Sequence, residues 1–163
     1  MKELLLQYVT YNHWANQQLA PVLLKLGNEQ LDRELGGGFG TVRQTVYHIW
    51  YGESLWYQRL QLAEKPVDPT AGFDDNFEAA CAAWIQQSVK LEAWVQQATP
   101  ARLDHTIAYT QQKNEHYKLP VQAALMQVCN NGAFYRGQLV YMLKQLGVTK
   151  VPSVDFTRFK TRK

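Results

Sequence analysis

From Val121 to Leu146 the chain runs Val121, Leu125, Val128, Gly132, Tyr135, Leu139, Met142, Leu146, in alternating steps of four and three. Nearly four heptads of this pattern predict one long helix with a continuous seam for packing against other helices. Pro120 suits its first turn and Gly147 its end. Three more amphipathic stretches supply partners. The first spans about Lys2 to Leu26, with Leu5, Tyr8, Asn12, Ala15, Leu19, Val22 and Leu26 on one face; Pro21 marks a kink or an earlier boundary. The second spans about Val42 to Ala63, capped by Thr41, with Val42, Val46, Ile49, Trp56 and Leu60 inward. The third spans about Asp75 to Ala98, with Phe77, Cys81, Trp84, Ile85, Val89, Leu91 and Val95 inward and Asp74 and Asp75 at its positive end. Residues 103–119 alternate instead, around Gln111-Gln112-Lys113-Asn114, and read as a short β-hairpin. The expectation is an all-α four-helix bundle in a single domain over residues 1–163, with a hairpin before the last helix.

Charge and cysteine usage narrow the setting. The net charge of +3 is concentrated at the end of the chain, where Lys150, Arg158, Lys160, Arg162 and Lys163 face one anion, Asp155. The preceding residues are close to neutral, so the basic tail at 158–163 reads as a solvated stub and nucleic-acid binding is not expected. No apolar run is long enough to span a bilayer, and the first residues lack a secretory h-region. Cys81 and Cys129 are too few for a disulfide framework and are expected as buried, reduced thiols in a cytoplasmic protein. Gly36-Gly37-Gly38-Phe39-Gly40 lacks the Gly-Lys-Ser/Thr ending of a phosphate-binding loop and follows no strand.

In a helical bundle a site is built from polar side chains that point inward from facing helices. His48 stands on the shoulder of the second helix's apolar stripe, where a lone histidine is more often a hydrogen-bonded core residue than a ligand. Gln127, Asn131, Tyr135 and Gln138 share a face of the last helix. They form either a polar seam that fixes helix register or the floor of a pocket.

Three segments carry a resemblance. Tyr11-Asn12-His13-Trp14-Ala15-Asn16, then Thr41-Val42-Arg43-Gln44-Thr45-Val46-Tyr47-His48 with Leu55-Trp56, then Gln127 through Gln138 resemble the signatures of the DinB-like (YfiT/DinB) superfamily. Leu146-Gly147, Pro152 and Asp155-Phe156 fit its ending. The resemblance spans essentially the whole chain. It implies an up-down-down-up bundle, frequently a homodimer, in which three histidines hold zinc or nickel. Relatives include thiol-dependent transferases and metal-dependent hydrolases.

The implied metal-ligand positions fall on His48, Asn131 and Tyr135, while Arg136, Gly137 and Gln138 match the pattern. Two imidazoles are therefore replaced, by an amide that is a poor zinc ligand and by a phenol whose ordinary pKa is about 10. Glu53, about 140° round the helix from His48, does not converge with it. The expectation is a metal-free pocket of His48, Gln127, Asn131, Tyr135 and Gln138 that binds an unknown small molecule or is purely structural. Zinc or nickel is expected only if the site still functions. The alternative is an enzyme with His48 as general base and Tyr135 as proton donor.

Overall fold

The computed structural model describes residues 1–73, 76–110 and 115–161. Four long helices dominate it: α1 (Lys2–Leu23), α3 (Val42–Leu60), α4 (Phe77–Gln97) and α6 (Val121–Gln145). Around them lie the short helices α2 (Asn28–Leu31), α5 (Pro100–Leu103) and α7 (Phe156–Thr161), and the strands β1 (Thr106–Thr110) and β2 (His116–Pro120). The strands pair antiparallel from Thr106 opposite Pro120 to Thr110 opposite His116, as the alternation predicts. The expected turn at Gln111–Asn114 and the acidic pair Asp74 and Asp75 lie outside the described residues.

Capping sets the helix starts. The Thr41 hydroxyl accepts from the Gln44 amide at 3.2 Å, and Asn76 Oδ1 accepts from the Ala79 amide at 2.9 Å. Asn76 therefore starts α4 two residues later than the sequence suggests. Pro21 stays inside α1 because it and Gln17, whose carbonyl its ring leaves unbonded, both face water. The helix ends at Leu23, not Leu26, in a tight turn in which the Lys25 and Leu26 amides bond back three residues. Likewise α3 ends at Leu60 rather than Ala63, because Leu62 adopts φ 61° and the Ala63 amide returns to the Gln58 carbonyl. At the end of α6, Gly147 takes φ 80°, a conformation that glycine adopts without penalty.

The buried apolar residues form two clusters, and these give the helix directions. One joins Leu5 and Val9, at the start of α1, to Leu60, Trp94, Val95 and Val121. The other joins Leu19 and Leu23, at the end of α1, to Val42, Val46, Phe77, Trp84 and Leu143. So α1 and α6 run one way while α3 and α4 run the other: up, down, down, up. Between the clusters lie Asn12, Asn16, Glu53, Ser88 and Arg136, all buried. That polar layer explains one departure from the apolar pattern of α4. Ser88 takes the interior position, and its neighbour Val89 is 38% exposed.

Within the basic end, residues 156–161 form a docked helix rather than a free stub. Phe156 and Phe159 of α7 pack on α1, with Phe156 5.7 Å from Tyr8 and 5.2 Å from Tyr11, and Phe159 5.5 Å from Trp14. Burial of these rings holds the segment down, while Arg158 and Lys160 remain exposed. Cys81 and Cys129 are unpaired and buried, as expected, and burial pushes both thiols up to about 12. Among the described residues no helix is long and apolar enough to cross a membrane.

Candidate functional site

The glycine-rich loop has a structural purpose that its failed phosphate motif conceals. Gly36, Gly37 and Gly40 all take positive φ, between 71° and 88°, which lets the chain double back over the start of α3. A side chain at Gly37 would stand 3.3 Å from Gln138 Oε1, and that oxygen accepts from the Gly38 amide at 3.3 Å. The loop is thus fastened to α6. In consequence the Phe39 ring stacks on the His48 imidazole, centroids 4.0 Å apart and planes 24° apart. Tyr135 meets the same imidazole edge-on at 4.5 Å and touches Phe39 at 5.3 Å.

His48 opens from this aromatic corner into a cleft of about 650 Å³, walled by Phe39, Gln44, Tyr47, Tyr51, Glu34 and Asp68, with no lysine or arginine in its lining among the described residues. Burial lowers the pKa of His48 below its ordinary 6.5, so the imidazole is neutral at pH 7. The structure brings together only part of the expected pocket. Tyr135 reaches His48, and Gln138 reaches the loop that covers it. Asn131 packs its amide against Gly52 of α3, and Gln127 is exposed on α6. Of the expected residues, His48 alone lines the cleft.

As a metal site this donor set does not fit. It offers one imidazole already stacked against a phenyl ring, one amide and one phenol. Among the described residues no three His, Cys, Asp or Glu side chains converge. His13 lies elsewhere, with Nδ1 2.7 Å from Glu92 Oε2.

Asn12, Glu53 and Arg136, each visible singly in the sequence, join Asn16 and Ser88 in the polar layer. Arg136 Nη1 donates to Asn12 Oδ1 at 2.6 Å and to Asn16 Oδ1 at 2.8 Å. Both asparagines then donate through Nδ2 to Glu53 Oε1 at 2.7 Å. Ser88 Oγ donates to Glu53 Oε2 at 2.7 Å and accepts from Asn16 at 2.9 Å. A buried cation and a buried carboxyl, which make no direct ion pair, are thus bridged by two amides drawn from α1. Burial pushes Glu53 above its ordinary value of 4.5, the hydrogen bonds and the Arg136 charge working against that rise. A signal for this layer exists in the sequence: Asn12 occupies an inward position of α1, Asn16 follows one turn later, and Glu53 continues the stripe Val46, Ile49 four residues on.

Comparison with known proteins places this geometry in context. A family model described as the DinB family matches residues 1–163. The protein named Protein DinB from Bacillus subtilis (strain 168) is 24% identical over 162 residues, covering 94% of this chain and 92% of that one. A crystal structure of a DinB-like protein from Bacillus cereus ATCC 10987 superposes with a TM-score of 0.73 at 20% identity, covering 93% of this chain and 95% of that one.

Proposed function

The chain belongs to the DinB family, and we propose that it is a metal-free member, one domain over residues 1–163, whose His48 cleft binds a small organic molecule. The observation that carries this reading is the Phe39 ring on the His48 imidazole. With His48, Asn131 and Tyr135 at the family's metal-ligand positions, the site is degenerate. An aromatic contact stands where a ligand set would need an imidazole free to turn toward a metal. The walls favour a ligand that combines an aromatic or apolar face with a neutral or cationic polar group, because Glu34 and Asp68 bring carboxylates to the lining.

Elemental analysis of tag-free protein purified without chelators tests the metal half of the proposal. The expected content of zinc and nickel is far below one equivalent per chain in both wild type and His48→Ala. Near-stoichiometric metal that vanishes in His48→Ala would overturn it. Thermal-shift screening of small aromatic amines and alcohols tests the ligand half: compounds that raise the Tm of wild type are expected to leave that of His48→Ala unmoved.

A second reading, an enzyme that uses His48 as general base, is favoured by one observation: the imidazole is neutral at pH 7 and able to take a proton. Its discriminating result is turnover of a thiol substrate that His48→Ala abolishes.

We also propose that the protein is a cytoplasmic homodimer. Between Val121 and Leu143 the sole charged residue is Arg136, which is buried. The outer face of α6 therefore carries no charge before Lys144 in its last turn, while Met126, Phe134 and Tyr141 on it are 54%, 64% and 63% exposed. A neutral, partly aromatic face is self-complementary for an isologous contact. Light scattering is expected to give twice the chain mass for wild type and the chain mass for Phe134→Glu; a monomeric wild type would overturn this.

A further inference from the structure

In the half of the bundle away from His48, Arg59 closes α3 and is only 9% exposed. Its guanidinium carbon lies 4.6 Å from the Trp56 ring and 4.2 Å from the Tyr109 ring, which meet edge to face at 5.2 Å. These rings offset part of the cost of removing the cation from water, but they accept no in-plane hydrogen bond. Among the described residues the guanidinium makes no ion pair and donates no hydrogen bond. It lines a cavity of about 300 Å³ between the end of α3, the loop that follows and β1, together with Leu62, Glu64, Pro66, Tyr109 and Thr110. A nearly buried cation with idle donors facing an open cavity lacks an acceptor of opposite charge.

We propose that this cavity is a binding site for a small oxyanion, a carboxylate or a phosphate monoester, held by the planar fork of Arg59 against Trp56 and Tyr109. The fork suits two oxygens of one group, and the anion would satisfy both the charge and the unused N–H donors. The carbonyls at the end of α3 do not oppose this: those of Tyr57, Gln58 and Arg59 are each taken by an amide of Gln61, Leu62 or Ala63. Glu64, the one carboxylate in the lining among the described residues, makes no ion pair with Arg59 and weakens an incoming anion by its charge alone.

The test is a ¹⁵N-resolved NMR titration of the full chain at constant ionic strength, with inorganic phosphate in one series and acetate in another, and chloride as background. Wild type is expected to show saturable shifts at Ala63, Tyr109, Thr110 and the Arg59 side chain. The series that saturates at lower concentration identifies the preferred oxyanion. Arg59→Lys keeps the charge without the fork and is expected to bind roughly tenfold more weakly. Glu64→Gln leaves Arg59 and its rings in place and is expected to bind a few-fold more tightly. The proposal is overturned by shifts that never saturate, by shifts centred on Lys150–Lys160, or by equal affinity in wild type and both variants.

Discussion

Arg136→Leu is expected to lose about 3–5 kcal/mol of stability at pH 7, the cost of removing one member of a buried charged pair. Arg136 is 1% exposed, and its Nη1 holds the oxygens of Asn12 and Asn16. Leucine fills much of the space but leaves both amide oxygens without a donor and the Glu53 carboxyl without a balancing charge. The second consequence gives the experiment its signature. A carboxyl whose folded pKa is raised contributes stability that is fully present below its unfolded pKa and is lost as pH rises through the folded value. Burial already raises Glu53 above 4.5, and removal of the cation that restrains this rise takes it higher. The deficit of Arg136→Leu should therefore shrink as pH falls from 7 toward 5, because a protonated Glu53 needs no counter-charge. Urea unfolding followed by tryptophan fluorescence at the two pH values measures it. A loss under about 1 kcal/mol, or one independent of pH, would mean that the layer is already relieved by water.

Gly132→Ala is expected to cost about 1–3 kcal/mol, although alanine in mid-helix ordinarily gains up to about 1 kcal/mol over glycine. The sign reverses because a Cβ at Gly132 would stand 2.6 Å from Asn12 Oδ1 and 2.8 Å from Arg136 Nη1. It would push apart the bond that ties α6 to α1. Gly137 lies five residues along the same helix, exposed, and a Cβ there would meet nothing within 4 Å. Gly137→Ala should gain the propensity benefit in full. Opposite signs at two glycines of one helix, read as shifts in Tm, would locate the constraint at the layer. Matching signs would show that Gly132 answers only to helix propensity.

The bundle is legible in the sequence because its helices announce themselves by period. The hairpin is legible by its alternation, and Thr41 by capping chemistry. What escapes is whatever depends on contacts between elements. The glycine-rich loop has no local motif; its meaning lies in Phe39, whose stacking on His48 depends on Gln138 a hundred residues later. Glu53 is correctly read as unable to join His48, yet its actual hydrogen-bond partners come from two other helices, and no spacing rule within one helix reveals them. Val89 looks inward by hydropathy but loses the interior to Ser88, because only a hydroxyl can serve the Glu53 carboxyl at that height. Phe156 and Phe159 sit in a basic stretch whose charge obscures its aromatic side. Their docking on Tyr8, Tyr11 and Trp14 is a matter of tertiary geometry.

That docking bears on the order in which the molecule can be completed. Tyr11 donates to the Val154 carbonyl at 2.8 Å and is flanked by Phe156 and Phe159, while its ring lies 5.6 Å from the Arg136 guanidinium. Residues 154–159 thus roof the aromatic wall that shields the buried cation. During synthesis the first helix emerges with two asparagines that have nothing to bond until Glu53, Ser88 and then Arg136 follow. The insulation around that charge closes only when residues 154–159 arrive. A chain that stopped before Val154 would therefore lack the roof over its own middle.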